Sequence, residues 1–168
     1  MGKLLRPLGF RLVAGTIAVM VAGVGVGTAA VAAPLPPEVK AVLDEKAREC
    51  REAEGRGLRG NGLRAVRRLD LNGDGRPDFI VDFDKAPCVG IESLFCGTGG
   101  CALVILVSGP DGTLAKILDR NVHRYRVLGD KGPRRIRFDL HGSLCGKFGP
   151  EPCVKTRTIT GKPISLED

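Results

Sequence analysis

Six cysteines, Cys50, Cys88, Cys96, Cys101, Cys145 and Cys153, constrain this chain more than any other feature. All of them follow residue 32, and none forms a C-x-x-C pair, which argues against a thiolate zinc ribbon. The segment before them accounts for the even count. Lys3, Arg6 and Arg11 make a basic start, Leu12 to Val26 is an apolar run, and Ala30-Val31-Ala32 fits the small-residue cleavage rule. Residues 1–32 therefore read as a signal peptide. The alternative is an uncleaved anchor, because residues 12–33 are just long enough to span a bilayer. Neither a lipidated Cys at the cut nor a twin-Arg pair is present, so general export is expected, with a periplasmic or secreted product. In such a compartment an even set of cysteines reads as three disulfides. Fifteen connectivities are open to six cysteines, and the sequence selects none of them.

Residues 33–168 are enough for one domain with a core of its own. The 24 glycines and the absence of Trp favour many turns over a large enzyme cavity. The formal charge is +7, but residues after 32 hold 23 basic against 19 acidic side chains, a net +4. That is ordinary for a soluble domain, and nucleic acid is not an expected partner. Membrane contact is expected only through the signal segment if it stays attached.

Pro36 and Pro37 suit a helix start, and Val39, Val42, Leu43, Ala47 and Cys50 recur at helical spacing, predicting a helix over about 37–54 that Gly55 stops. The Gly/Arg stretch 55–62 lacks aromatics and reads as a connector rather than an RNA-binding segment. From about residue 63 the period becomes two. Strands are expected over 64–71, 79–83, 102–107, 114–118, 122–128, 135–140 and 154–160, separated by turns such as Gly109-Pro110-Asp111-Gly112. Residues 102–107 are apolar on both faces, as a central strand should be. The expected fold is α+β: an N-terminal helix, then a mainly antiparallel meander of about seven strands over residues 63–160, stapled by disulfides.

One turn carries chemistry. In Asp70-Leu71-Asn72-Gly73-Asp74-Gly75-Arg76-Pro77-Asp78, oxygen-bearing side chains alternate, and glycine stands sixth. Calcium takes roughly 6–8 oxygen ligands, and a tight loop presents them from alternate residues. Asp70, Asn72, Asp74 and Asp78 offer side chains, and Arg76 offers its carbonyl. The twelfth position is Val81 rather than Glu, and a strand follows rather than a helix, so this is no EF-hand. The pattern D-x-N-x-D-G-x-x-D running into a hydrophobic strand resembles the calcium loops of FG-GAP and VCBS-type repeats in extracellular β proteins. The resemblance covers about Asp70 to Phe83 and implies a structural calcium site. It does not carry over the propeller fold, because the loop occurs once and no 40-residue repeat is present. The competing expectation is an Asn-Gly/Asp-Gly hairpin turn without metal. Three carboxylates in nine residues repel one another in an empty turn, which favours the cation.

The stretches Ser93–Cys101 and His141–Gly146 resemble segments of small exported bacterial proteins, a resemblance that implies no activity. Proximity in sequence suggests Cys96–Cys101 and Cys145–Cys153, which leaves Cys50–Cys88 to tie helix to sheet. His141 beside Ser143 and Cys145 invites a nucleophile–base reading. No nucleophile-elbow pattern surrounds Ser143, so a loop-anchoring His141 is preferred. His123 falls mid-strand. Asp82 and Asp84 either extend the acidic site or pair with Arg67 and Arg68 across the hairpin. Arg124, Arg126, Arg135 and Arg137 fall on one outer strand face. That face either meets an anionic envelope polymer or acidic protein or is simply solvated and protects an edge. The leading expectation is a non-catalytic exported domain stabilised by calcium and disulfides, an envelope binding module. The alternatives are a small envelope hydrolase using His141, and an inhibitor or adaptor presenting the loop Gly97–Gly100.

Overall fold

The computed structural model describes residues 34–167 together with Gly2. The signal segment 1–32, with its cleavage motif, lies outside the described residues apart from Gly2. Helix α1 (Pro37–Glu52) opens the described chain. Eight strands follow among the described residues, rather than about seven. They are β1 (Val66–Leu69), β2 (Asp78–Asp82), β3 (Cys96–Gly97), β4 (Gly100–Ser108), β5 (Leu114–Val122), β6 (Arg124–Leu128), β7 (Arg135–Leu140) and β8 (Cys153–Thr158). All strand pairings are antiparallel, so the architecture is α+β.

The strands form two sheets instead of one meander. The first has the order β1-β2-β4-β3 with β5 also on β4, and the second is β6-β7-β8. β4 is the central strand expected from its uninterrupted apolar run. Ala102, Val104 and Leu106 face α1 with Phe79, Val81 and Phe83, while Leu103, Ile105 and Val107 face the second sheet with Ile136, Phe138 and Leu140. The period of two thus sorts one strand's side chains between two cores, giving helix, sheet and sheet as layers. A bulge between Ile105 and Leu106 shifts the β4–β5 register. It lets Ile117 and Leu118, adjacent in sequence, both be buried. The chain passes from the first sheet to the second at His123, between β5 and β6.

Two expectations are corrected. The helix ends at Glu52, and the left-handed residue beyond it is Glu54 at φ 67°, not Gly55. Gly55 is required for space instead, since a Cβ there would meet Cys88 Sγ at 2.2 Å. The stretch after it is not a free connector. Residues 59–65 form a 3-10 turn, Leu58 and Ala65 are buried, and Arg56 N–H and Val89 N–H bond across to Val89 and Gly57 carbonyls. Leu58, the one apolar side chain of the Gly/Arg run, and these backbone bonds tie it down.

The disulfides join Cys50 to Cys88, Cys96 to Cys101 and Cys145 to Cys153, and no free cysteine remains. The first fastens α1 to the loop after β2, the second closes the β3–β4 hairpin, and the third holds the loop before β8. Three such bonds suit a non-reducing, extracellular-type environment. Among the described residues no helix is long and apolar enough to cross a membrane.

Candidate metal centre

The acidic turn joins β1 to β2, whose register pairs Leu69 with Asp78. Its side chains fold back on its own backbone. Asp70 accepts N–H groups from Gly73 at 2.7 Å and Gly75 at 3.1 Å. Asn72 Oδ1 accepts from Asp74 N–H, and Asp74 Oδ1 accepts from Arg76 N–H at 2.7 Å. Gly73 and Gly75 at φ 85° and 79° make these nested turns possible. The Arg76 N–H, then the Asn72 amide, hold the exposed Asp74 carboxyl below its usual value of 3.8, with slight desolvation opposing and Ser108 assisting.

Asp78 differs from the others because it is fully buried. Its Oδ2 accepts from Leu71 N–H at 2.6 Å and Asn72 N–H at 3.2 Å. Its Oδ1 accepts from Ser108 N–H and Ser108 Oγ, both at 2.8 Å. The same hydroxyl lies 3.1 Å from Asp74 Oδ2. One O–H therefore stands between two carboxylates. The repulsion expected among the acids is met here by backbone donors, which occupy part of the acceptor capacity. Asp70 and Asn72 keep lone pairs to spare, Asp74 Oδ2 also accepts from the Asn72 amide at 3.0 Å, and each oxygen of Asp78 already has two donors.

The loop also docks on the second sheet. Leu71 is buried in the inter-sheet core, and its carbonyl accepts from Arg134 N–H at 2.7 Å. Gly73 lies backbone to backbone against Gly132, where a Cβ on Gly73 would fall 2.7 Å from the Gly132 carbonyl carbon. Arg76 Nη1 donates to the Gly109 carbonyl, tying in the β4–β5 turn. Sequence reasoning missed Ser108 and Gly132, which are distant in the chain from the acidic motif. Neither belongs to a motif, and only the fold brings them to the loop.

The other candidates fall elsewhere. Asp82 and Asp84 stand at the far end of β2, about 13 Å along the strand from Asp78 on strand rise alone, and do not extend the acidic loop. Asp84 pairs with Lys85. Asp82 lines a cleft of about 560 Å³ with Arg67, Lys85, Tyr125 and the edge of β6. Burial raises the Asp82 carboxyl above 3.8, against the Asp84 N–H and Lys85 that lower it. Burial also raises the Tyr125 phenol above 10.0, with the Asp82 charge adding to the effect. Asp84, Cys96 and Cys101 place donor atoms within 4.8 Å of one another, but both sulfurs are spent in a disulfide.

His141 Nδ1 lies 2.8 Å from Ser143 Oγ. The contact is local, two residues apart, and the other ring nitrogen faces Gly149, where a Cβ would sit 2.5 Å away. No carboxylate hydrogen-bonds either ring nitrogen among the described residues, so the pair lacks the orienting acid of a triad. His123 Nε2 contacts the Thr98 carbonyl at 2.7 Å, and the two imidazoles meet edge to face at 6.1 Å. The Gly97–Gly100 hairpin is held by this contact and by its disulfide.

No family model, curated protein or solved structure matches the chain.

Proposed function

We propose that this chain is a non-catalytic exported binding domain whose one acidic loop takes calcium, and that the cation stiffens the joint between the two sheets. The observation that carries the reading is the loop's seat. An all-oxygen donor set in nine residues is pressed, through Leu71 and Gly73, onto Gly132 and Arg134 of the turn between β6 and β7. Hard oxygen donors at alternate positions suit calcium rather than a thiophilic metal. Asp70, Asn72, Asp74 and the Arg76 carbonyl would hold it. Asp78 joins them only by giving up the Ser108 hydroxyl, and otherwise serves as the buried post on which the loop turns. Export is supported by the signal-like residues 1–32 and by the three disulfides.

Titration calorimetry with calcium on the oxidised chain tests the binding. One site per chain is expected, lost in Asp70→Ala. Heat from zero sites, or undiminished binding in that variant, removes the metal from the account.

The hydrolase reading retains one favourable observation, the 2.8 Å His141–Ser143 contact. A fluorophosphonate that labels the chain, but not Ser143→Ala, would support it. An unlabelled chain would leave His141 as a loop anchor.

A further inference from the structure

The outer face of the β6-β7-β8 sheet carries charge that folding does not explain. Ile136, Phe138 and Leu140 of β7 are buried in the inter-sheet core, with Tyr125 and Val127 of β6 packed against them. The alternate residues therefore face outward. Register sets Arg124 opposite Asp139 and Arg126 opposite Arg137, with Arg135 next along β7. All four arginines are exposed. Asp139 is the acid among them, and it pairs with Arg137 at 3.3 Å. Among the described residues no ion pair engages Arg124, Arg126 or Arg135.

Edge protection accounts for charge on β6, which is an edge strand. It does not account for Arg135 and Arg137, because β7 is flanked on both sides. Nor is the arrangement favourable in itself. Like charges directly opposite across an antiparallel pair are destabilising, and Arg126 faces Arg137. A solvated face needs polar groups, not one sign of charge, and β8 meets that need with Thr156 and Thr158.

The spacing states what would relieve the repulsion. Arginines two apart on a strand are about 7 Å apart, and those across a pair about 5 Å. Guanidinium groups bind oxyanions in a bidentate fork. Arg124 and Arg126 also line the cleft beside β6, while Arg135 and Arg137 stand on the open sheet face. Beyond β6, Asp82 and Asp84 interrupt the positive field in the adjoining cleft.

We propose that this face binds a linear polyanion whose repeating charges are phosphate, sulfate or carboxylate groups, as envelope polymers carry. The proposal rests on the reading of the domain as an exported binding module, and not on the calcium loop.

The test uses the full oxidised chain in calcium-free buffer at low salt, with long-chain inorganic polyphosphate, heparin and polygalacturonate as separate probes. At least one should bind, with affinity falling as salt rises, and the preferred probe identifies the anionic group. Arg126→Ser with Arg137→Ser should weaken that binding at least tenfold while leaving the melting temperature unchanged or higher. Arg51→Ser with Arg64→Ser removes the same charge from α1 and the 3-10 turn, and should change affinity less than twofold. Equal loss in both double variants would reduce the effect to net charge and overturn the proposal. So would binding to none of the three probes, or binding only to vesicles of anionic phospholipid. A chain that takes calcium but no polymer retains the metal reading and loses this one. A chain that binds polymer through Arg126 and Arg137 without taking calcium does the reverse.

Discussion

Asp78 shows how much one side chain can settle. A fully buried carboxylate is tolerable only when its lone pairs are filled, and four donors fill them here. Asp78→Ala strands the N–H groups of Leu71, Asn72 and Ser108. The expected cost is about 3 kcal/mol or more in urea denaturation, since each buried orphan costs roughly 1–3 kcal/mol. A loss near zero would mean that water replaces the carboxylate. Asp82 behaves oppositely. Burial raises its folded-state pKa above 3.8, so its contribution to stability is fully present below 3.8 and is lost as pH rises through the raised value. Asp82→Asn should therefore melt higher than the parent at pH 7, and the advantage should vanish below pH 3.8. An Asp82→Asn chain that melts lower at pH 7 would assign the carboxylate a favourable partner instead. The side chains of the acidic loop were legible in the sequence because their spacing is local. The role of Asp78 as a buried post was not, since two of its four donors come from Ser108, thirty residues away.

At the scale of elements, periodicity was informative where one face is buried and silent where geometry is irregular. The apolar run 102–107 announced a strand covered on both sides. The alternation of Arg135, Arg137 and Asp139 with Ile136, Phe138 and Leu140 announced a half-buried one. The β4–β5 bulge and the 3-10 turn over 59–65 gave no such signal, because they depend on which partners are available to pair. The disulfides divide by the chain they close. Cys50–Cys88 spans 38 residues, against 5 and 8 for the others. On loop-closure entropy its removal as Cys50→Ala with Cys88→Ala costs about 4 kcal/mol, and either short bridge about 2–2.5 kcal/mol. Equilibrium unfolding of the three double variants should keep that order. If a short bridge proves the costlier, its effect lies in native packing rather than in the unfolded chain.

In the whole molecule, the acidic loop is less a surface turn than a joint. It leaves one sheet at Leu69, passes Leu71 into the shared core, touches Gly132 at Gly73 and re-enters at Asp78. The sequence placed the loop between two strands but gave no sign that a second sheet exists, because its docking partners, Gly132 and Arg134, look like ordinary turn residues. Two glycines separate the joint from the turn. Gly75 at φ 79° has open space around its would-be Cβ, so Gly75→Ala costs only backbone strain, about 1–2 kcal/mol. Gly73→Ala adds a collision with Gly132 and should destabilise the domain well beyond Gly75→Ala. Equal effects would show that the contact between the sheets yields easily.

If calcium in the loop stiffens the joint between the two sheets, as proposed, thermal unfolding of the oxidised chain should differ with and without calcium. Calcium at a hundredfold over its dissociation constant should stabilise by about 2.7 kcal/mol, a rise on the order of 8 °C for a domain of this size. Asp74→Ala should abolish that rise while still melting cooperatively. An unchanged melting temperature in the parent chain, or an equal rise in Asp74→Ala, would mean that no cation in this loop holds the sheets together.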